Sequence, residues 1–408
     1  MRTAIALLLA SCFLGSGWLP AQGVPQTAVA DSIMRLDGTA KPVTEVDSTV
    51  TGLMSAAHVT GVGIILFRGG KVQYAKTYGM RDTAQKLPLT FNSVMPAASL
   101  SNAAFATMTM SLVEAKVLDL DKPVGEYLPK PLPQYPKYAD LAGDLRYRKI
   151  TLRMLLSHTS GLPNWRYLET DGKLHLHFDP GARFAYSGEG MDLAQLVVET
   201  VTAKPLTWLM WDKLFARMAM DRSSMVWDPK FESDFANGYD QTGRSLGPQR
   251  RTTADAAGSM QTTLLDYAAL LVGILRGWAL HPVATNMMLT SQIAIHSAHE
   301  FPSLATETTT DNDAIQLGYG LGWAVYQSPY GPAFFKEGHD DGWRHLALCF
   351  RNGNGILIMT NSSNGDGIFK GLLDSLLGPT AFPIDWEGDT PYNLLPPDPK
   401  LKNQKHKP

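Results

Sequence analysis

The chain has 408 residues, 44% of them hydrophobic and 18% charged, the balance of a soluble globular protein long enough to bury a large core. Its 36 glycines and 26 prolines are scattered without period, which excludes a collagen-like or low-complexity chain. A formal net charge of −2 excludes a global field that would draw in nucleic acid.

The first element is an export signal. Arg2 precedes an apolar stretch from Ala4 to Leu14, and Ala21-Gln22-Gly23 offers the small residues of a cleavage site, so residues 1–23 are expected to be removed. Leu9-Ala10-Ser11-Cys12 also fits a lipoprotein box, and lipidation of Cys12 stays open as the alternative, the one route by which a membrane becomes a partner. Either way the mature protein is periplasmic or secreted. After cleavage at Gly23 only Cys349 remains, so no internal disulfide forms. No later apolar run reaches the ~18 residues of a membrane span.

Residues 24 to about 60 read as a leader and a first helix. Gly61 to Gly79 reads as a hairpin, with Val62, Ile64 and Leu66 running out, Gly69-Gly70 turning, and Val72, Tyr74 and Lys76 returning. At Ser99 the period changes: Phe105, Met108, Leu112 and Val113 mark one buried stripe of a helix. A Pro-rich stretch from Pro129 to Tyr138 follows. Helical patterns return at Leu152–Ser157, Met191–Val201, Trp208–Met218 and Leu264–Leu275, the last capped by Thr262 or Thr263. Strands resume at Leu321–Tyr326, Ala333–Phe335, Trp343–Phe350 and Ile356–Thr360, and Ile368–Leu377 closes as a helix. The expected fold is α+β, with one antiparallel sheet assembled from both ends of the chain and flanked by helices. Residues 24–100 and 316–378 supply its α/β part, 101–315 a mostly helical insert, and 379–408 a Pro-rich, basic tail.

The chemistry rests on three short segments. Ala98-Ser99-Leu100-Ser101-Asn102 opens the long helix, where a serine sits beside backbone N–H groups that lack helical partners. Such a serine is a nucleophile beside half of an oxyanion hole, or only a helix cap. Pro180 to Gly188 carries Tyr186 into a second helix. Lys336-Glu337-Gly338-His339 falls between two strands, and alone Lys336 reads as a solvated charge. His175 with His177, and His296 with His299, lack a His-Glu-x-x-His pattern, so no metal ligands and no cofactor are expected. There is no Gly-x-Ser-x-Gly elbow.

Together these segments resemble the serine β-lactamases, penicillin-binding proteins and related esterases, most closely the class C and esterase branch. That family carries Ser-x-x-Lys, then Tyr-x-Asn, then Lys-Thr-Gly or His-x-Gly on a strand. Ser99, Tyr186 and Lys336-Glu337-Gly338 stand in those slots in the family's order. Leu118 to Val124, Thr151 to Pro163 and Ala256 to Met260 are similar to its flanking stretches, so the resemblance covers residues from about 61 to 378. It implies that Ser99, Tyr186 and Lys336 are catalytic, that the N–H groups of Ser99 and His339 form the oxyanion hole, and that Gly338 and Asn102 border the substrate.

Two positions depart from the pattern. Gly188 stands where many members have Asn. Asn102 stands where the family has its lysine, and an amide takes no proton at any useful pH. Two functions follow as expectations. One is a serine hydrolase forming an acyl-enzyme with an ester, amide or β-lactam, slowed by loss of the base. The other is a weak or inactive binding protein that holds a peptide or acyl ligand on the same scaffold. Both imply a small-molecule or peptide partner.

Overall fold

The computed structural model describes residues 31–394. The expected signal sequence, Cys12 and the basic run up to Lys407 lie outside the described residues.

Strands β1 (Gly61–Arg68), β2 (Lys71–Asp82), β3 (Leu87–Pro88), β4 (Ile293–Ala294), β5 (Gly318–Tyr319), β6 (Ala324–Ser328), β7 (Gly331–Asp340), β8 (Trp343–Phe350) and β9 (Gly355–Thr360) form one sheet. All neighbours are antiparallel, in the order β4-β5-β6-β7-β8-β9-β1-β2-β3. The two ends of the chain meet where β9 pairs with β1, placing Ile358 opposite Ile64 and Leu357 opposite Ile65. This is the α+β sheet expected from the sequence.

Both faces of the sheet are covered, which explains why β1 is apolar without interruption. Ile65 and Phe67 face one core; Ile64 and Leu66 face the other. The helices are α1 (Val43–Ala57), α2 (Leu100–Glu114), α3 (Leu152–Leu156), α4 (Gly188–Thr202), α5 (Leu206–Met210), α6 (Leu264–Leu275), α7 (Pro282–Met288), α8 (Phe369–Leu376) and α9 (Ile384–Glu387). Buried residues of α2 and α6 pack on the first face, those of α1 and α8 on the second.

Several elements differ from the sequence reading for physical reasons. α2 has no solvent face over its first three turns, since every residue from Leu100 to Met110 is buried. A helix surrounded on all sides needs no narrow stripe. The helix expected at Trp208–Met218 divides into α5 and a π-turn at Trp211–Phe215. β7 runs five residues past Phe335, to Asp340, because β8 pairs with it throughout. Residues from 379, grouped with the tail, fold back instead: Trp386 is buried at 1% exposure against Phe184 and Phe335.

Candidate active site

Ser99 sits one residue before α2, at the end of a strained turn. Ala98 is held at φ +47°, a left-handed conformation that costs an alanine ~1–2 kcal/mol. Neighbouring bonds maintain it: Ala97 N–H donates to Met260 O at 2.7 Å and Ser101 N–H to Ala98 O at 3.0 Å. The turn leaves Ser99 partly exposed between fully buried Ala98 and Leu100. Its hydroxyl makes no capping bond to the helix, so the cap reading fails on geometry. Among the described residues, the Ser99 N–H has no backbone acceptor either.

Tyr186 precedes α4, whose cap is Ser187, accepting from Gly190 N–H at 2.8 Å. The segment Thr151–Pro163 props Tyr186 from below. α3 ends at Ser157, and His158 turns left-handed at φ 54° so that its ring lies 4.3 Å from the Tyr186 ring. Nδ1 of His158 accepts from Ser187 N–H at 3.2 Å, and burial pushes its pKa well below the usual 6.5, so it stays neutral. His158 is therefore a support for Tyr186. Gly188 has a partner of its own: a Cβ there would stand 2.6 Å from the Trp165 indole. Trp165 fills the space that a side chain at 188 would take.

β7 brings the third segment. It pairs with β6 only as far as Phe335, opposite Ala324, so from Lys336 onward that edge faces α2 instead of a strand. Gly338 permits this approach, since a Cβ on it would lie 2.7 Å from Ala97 O and 3.2 Å from Leu100 Cγ. Lys336 points to the same side and sets its ammonium 4.7 Å from the centre of the Tyr186 ring and 3.9 Å from Glu300 Oε1.

Ser99, Tyr186, Lys336, Glu337 and His339 line one small cavity of about 120 Å3, closed by Asn164, Trp165, Ala257, Glu300 and Phe301. Residues far apart in sequence thus converge as expected. Asn102 and Gly338 do not line this cavity, a correction to their expected place beside the substrate. Gly338 stands behind the wall as a spacer. Asn102 is fully buried, and its Nδ2 donates to Ala257 O at 2.7 Å and Ser99 O at 3.2 Å. Its Oδ1 has no partner, and neither does the Tyr186 hydroxyl. Ser99 and Asn102 lie near enough to draw the Tyr186 pKa down, yet neither meets hydrogen-bond geometry with it.

Together, burial and neighbouring charges raise the pKa values of Tyr186, Lys336 and Glu337 on the cavity wall. Burial raises Tyr186 above its usual 10.0, against the opposing pull of Lys336. Burial also disfavours the Lys336 charge, but the phenol oxygens of Tyr319 and Tyr186 and the carboxylate of Glu300 more than offset it, and Lys336 stays well above 10.5. Glu337 is pushed up to about 8, first by burial and then by the neighbouring acids. At pH 7 Tyr186 and Lys336 both keep their protons.

Four cavity residues escaped the sequence reading: Asn164, Trp165, Glu300 and Phe301. Asn164 and Trp165 directly follow the Thr151–Pro163 stretch, which was the available signal. Glu300 and Phe301 lie in an irregular loop with no periodicity to single them out. Phe301 is 41% exposed and packs edge-on over the Tyr186 ring at 5.3 Å.

Residues 46–375 match the profile of the family described as Beta-lactamase. The chain is 26% identical over 310 residues to a β-lactamase of Pseudomonas fluorescens, covering 72% of this chain and 77% of that one. It is 23% identical over 307 residues to penicillin-binding protein 4* of Bacillus subtilis, covering 69% of this chain and 62% of that protein. Among solved structures it is similar to the octameric penicillin-binding protein homologue from Pyrococcus abyssi, with TM-score 0.67, 23% identity, and 83% and 78% of the two chains covered. The D-alanine carboxypeptidase AmpC from Burkholderia cenocepacia gives TM-score 0.64 at 19% identity, covering 82% and 100%. With the sheet, the uncapped serine and the strand behind it in place, the chain belongs to the Beta-lactamase family, on the serine-hydrolase scaffold of its class C and penicillin-binding-protein-4-like members.

Proposed function

We propose that this protein is a slow serine hydrolase that forms an acyl-enzyme at Ser99 with small esters or strained amides. The observation that carries this reading is the Ser99 hydroxyl: uncapped, partly exposed, and on the wall of a cavity shared with Tyr186 and Lys336. In this reading Ser99 Oγ attacks the carbonyl carbon, and the oxyanion accepts hydrogen bonds from the N–H groups of Ser99 and His339. Lys336 and the Tyr186 hydroxyl hold their protons and serve as donors to the leaving group. The step that lacks a partner is removal of the Ser99 proton. Asn102 occupies the position of the family's lysine and has no basic atom, so the proton passes to water. Loss of a general base costs ~10²–10⁴-fold in rate. The cavity volume of about 120 Å3 supports a short acyl group, well under the ~300 Å3 at which drug-sized ligand pockets begin.

A second reading, a binding protein for an acyl or peptide ligand, is favoured by one observation: Tyr186, Lys336 and His158 are each driven away from neutral titration. One experiment separates the two. The protein is incubated with a fluorophosphonate and, separately, with benzylpenicillin, and its intact mass is followed over hours. Slow, stoichiometric mass gain mapped to Ser99 and absent in Ser99→Ala is the expected result. A folded protein that gains no mass with either probe overturns the hydrolase reading, and an adduct elsewhere overturns the site. Export belongs to the same proposal: a mature protein whose mass begins at Val24 supports cleavage, and a diacylglycerol on Cys12 would replace it.

A further inference from the structure

On the sheet face opposite Gly338, β7 carries Glu337 and His339, and the segment after α9 brings Asp389 against them. One donor atom from each of the three lies within 4.8 Å of the others. His339 Nε2 is 2.8 Å from Glu337 Oε2 and 3.9 Å from Asp389 Oδ1. These short distances are not hydrogen bonds. His339 Nε2, both Glu337 oxygens and both Asp389 oxygens lack any partner of acceptable geometry. The three groups thus stand within ligand distance of one another while making no hydrogen bond among themselves.

Burial leaves these carboxylates two ways to avoid an uncompensated charge, to hold protons or to be completed by a cation. Glu337 and Asp389 are each 3% exposed, and Glu387, with a further orphaned oxygen, is 7% exposed. The buried cation nearby, Lys336, already faces Glu300. Buried carboxylates are paired, protonated or bound to metal. Donors held ~2.0–2.2 Å from a tetrahedral centre stand roughly 3.4 Å apart, a spacing bracketed by the 2.8 and 3.9 Å that separate His339 Nε2 from Glu337 Oε2 and Asp389 Oδ1.

We infer that Glu337, His339 and Asp389 form a binding site for one divalent metal ion of the Zn2+ class, with Glu387 beside it. One imidazole with carboxylates suits Zn2+ better than the all-oxygen shells of Ca2+ or Mg2+. No sequence motif marks the site, because two ligands come from one strand at i and i+2 and the third lies some fifty residues on. The site joins the C-terminal segment to the strand that walls the cavity. It is independent of whether Ser99 turns over a substrate.

The test uses the full chain, stripped with chelator and titrated with Zn2+ alone. Bound metal is counted by elemental mass spectrometry, and affinity is read by competition with a chromophoric chelator. One Zn2+ per chain is expected, with a Tm that rises as free Zn2+ rises. Asp389→Asn and Glu337→Gln should each weaken binding at least tenfold. Replacing His175 and His177 by alanine, which removes a surface pair with ring centres 6.2 Å apart, should leave it unchanged. If a ligand variant fails to fold, Co2+ added to the unaltered protein decides: visible bands of a protein-bound, low-coordinate ion are expected. Overturning results are no stoichiometric metal, binding that follows His175 and His177, affinity unchanged in folded Asp389→Asn, only the spectrum of aqueous Co2+, or preference for Ca2+ over Zn2+.

Discussion

Asn102→Lys tests the proposed chemistry most directly. Asn102 lies one helical turn beyond Ser99 and is fully buried, with Nδ2 on Ala257 O at 2.7 Å and on Ser99 O at 3.2 Å. Lysine adds one unbranched heavy atom and keeps a donor for those carbonyls. It also removes the orphaned Oδ1, whose burial costs ~1–3 kcal/mol. A second ammonium near Tyr186 works against the burial that now raises the phenol pKa. Either Tyr186 or the new amine then sheds its proton more readily and accepts that of Ser99. Acylation should rise by at least ~10²-fold, the lower bound for a general base. The assay is stopped-flow hydrolysis of p-nitrophenyl acetate with parallel intact-mass labelling, and Ser99→Ala in the same background should erase the gain. The reasoning is refuted if the unaltered protein already runs at ordinary enzyme rates and a folded Asn102→Lys runs no faster.

Three further outcomes follow from single distances and burials. Gly338→Ala drives a Cβ to 2.7 Å from the Ala97 carbonyl, so it should cost ~1–3 kcal/mol in denaturant unfolding. It should also slow Ser99 labelling about 10²-fold by moving β7 off the nucleophile, whereas an unchanged labelling rate would dissociate the strand from the site. Phe301→Ala removes the ring over Tyr186 and should raise benzylpenicillin labelling relative to acetate ester by at least about tenfold, since a bulky acyl group then fits beside Tyr186. An unchanged ratio would mean that Phe301 does not limit substrate size. Burial lowers His345 to about 4, with Nε2–H donating to Pro96 O at 2.8 Å and Nδ1 accepting from Thr360 N–H at 3.3 Å. Its unfolded pKa is higher, so its contribution is full above pH ~6.5 and shrinks as pH falls, by about 2 kcal/mol at pH 5. Wild type should therefore lose stability relative to His345→Gln on acidification, as read by urea unfolding at pH 7.5 and 5; parallel curves would contradict it.

The sheet was legible because its signals are local. Gly69-Gly70, both at positive φ, turns β1 into β2, and the apolar runs of β1, β8 and β9 are too continuous to face water. Ser99, Tyr186 and Lys336 were legible through short stretches of text around them. What the sequence did not reveal depends on tertiary neighbours. Burial of α2 on every side from Leu100 to Met110 follows from packing on the sheet and helices around it, and a single stripe of Phe105, Met108 and Leu112 understates it. Trp165 could be tied to Gly188 only in space, through the 2.6 Å that a Cβ would leave. Residues 379–394 read as part of a Pro-rich, basic tail because of the stretch that follows them, yet Trp386, Glu387 and Asp389 are buried. Composition cannot tell a solvated acid from one held inside by a partner on a distant strand.

Charge burial links stability to chemistry at residue 102. A buried, paired cation already sits at Lys336, and a second one beside it would carry a desolvation cost of several kcal/mol. Asn102 avoids that cost and ties α2 to the Ala256–Met260 turn through Ala257. Under the proposed reading this is a quieter interior where a fast hydrolase would need a strained one, a trade of stability against activity. It follows that the two quantities should move in opposite directions in Asn102→Lys: faster acylation, lower Tm. A variant that became both faster and more stable would mean that the volume around Asn102 accepts an ammonium without strain. Burial of charge would then not account for the slow turnover proposed for this chain.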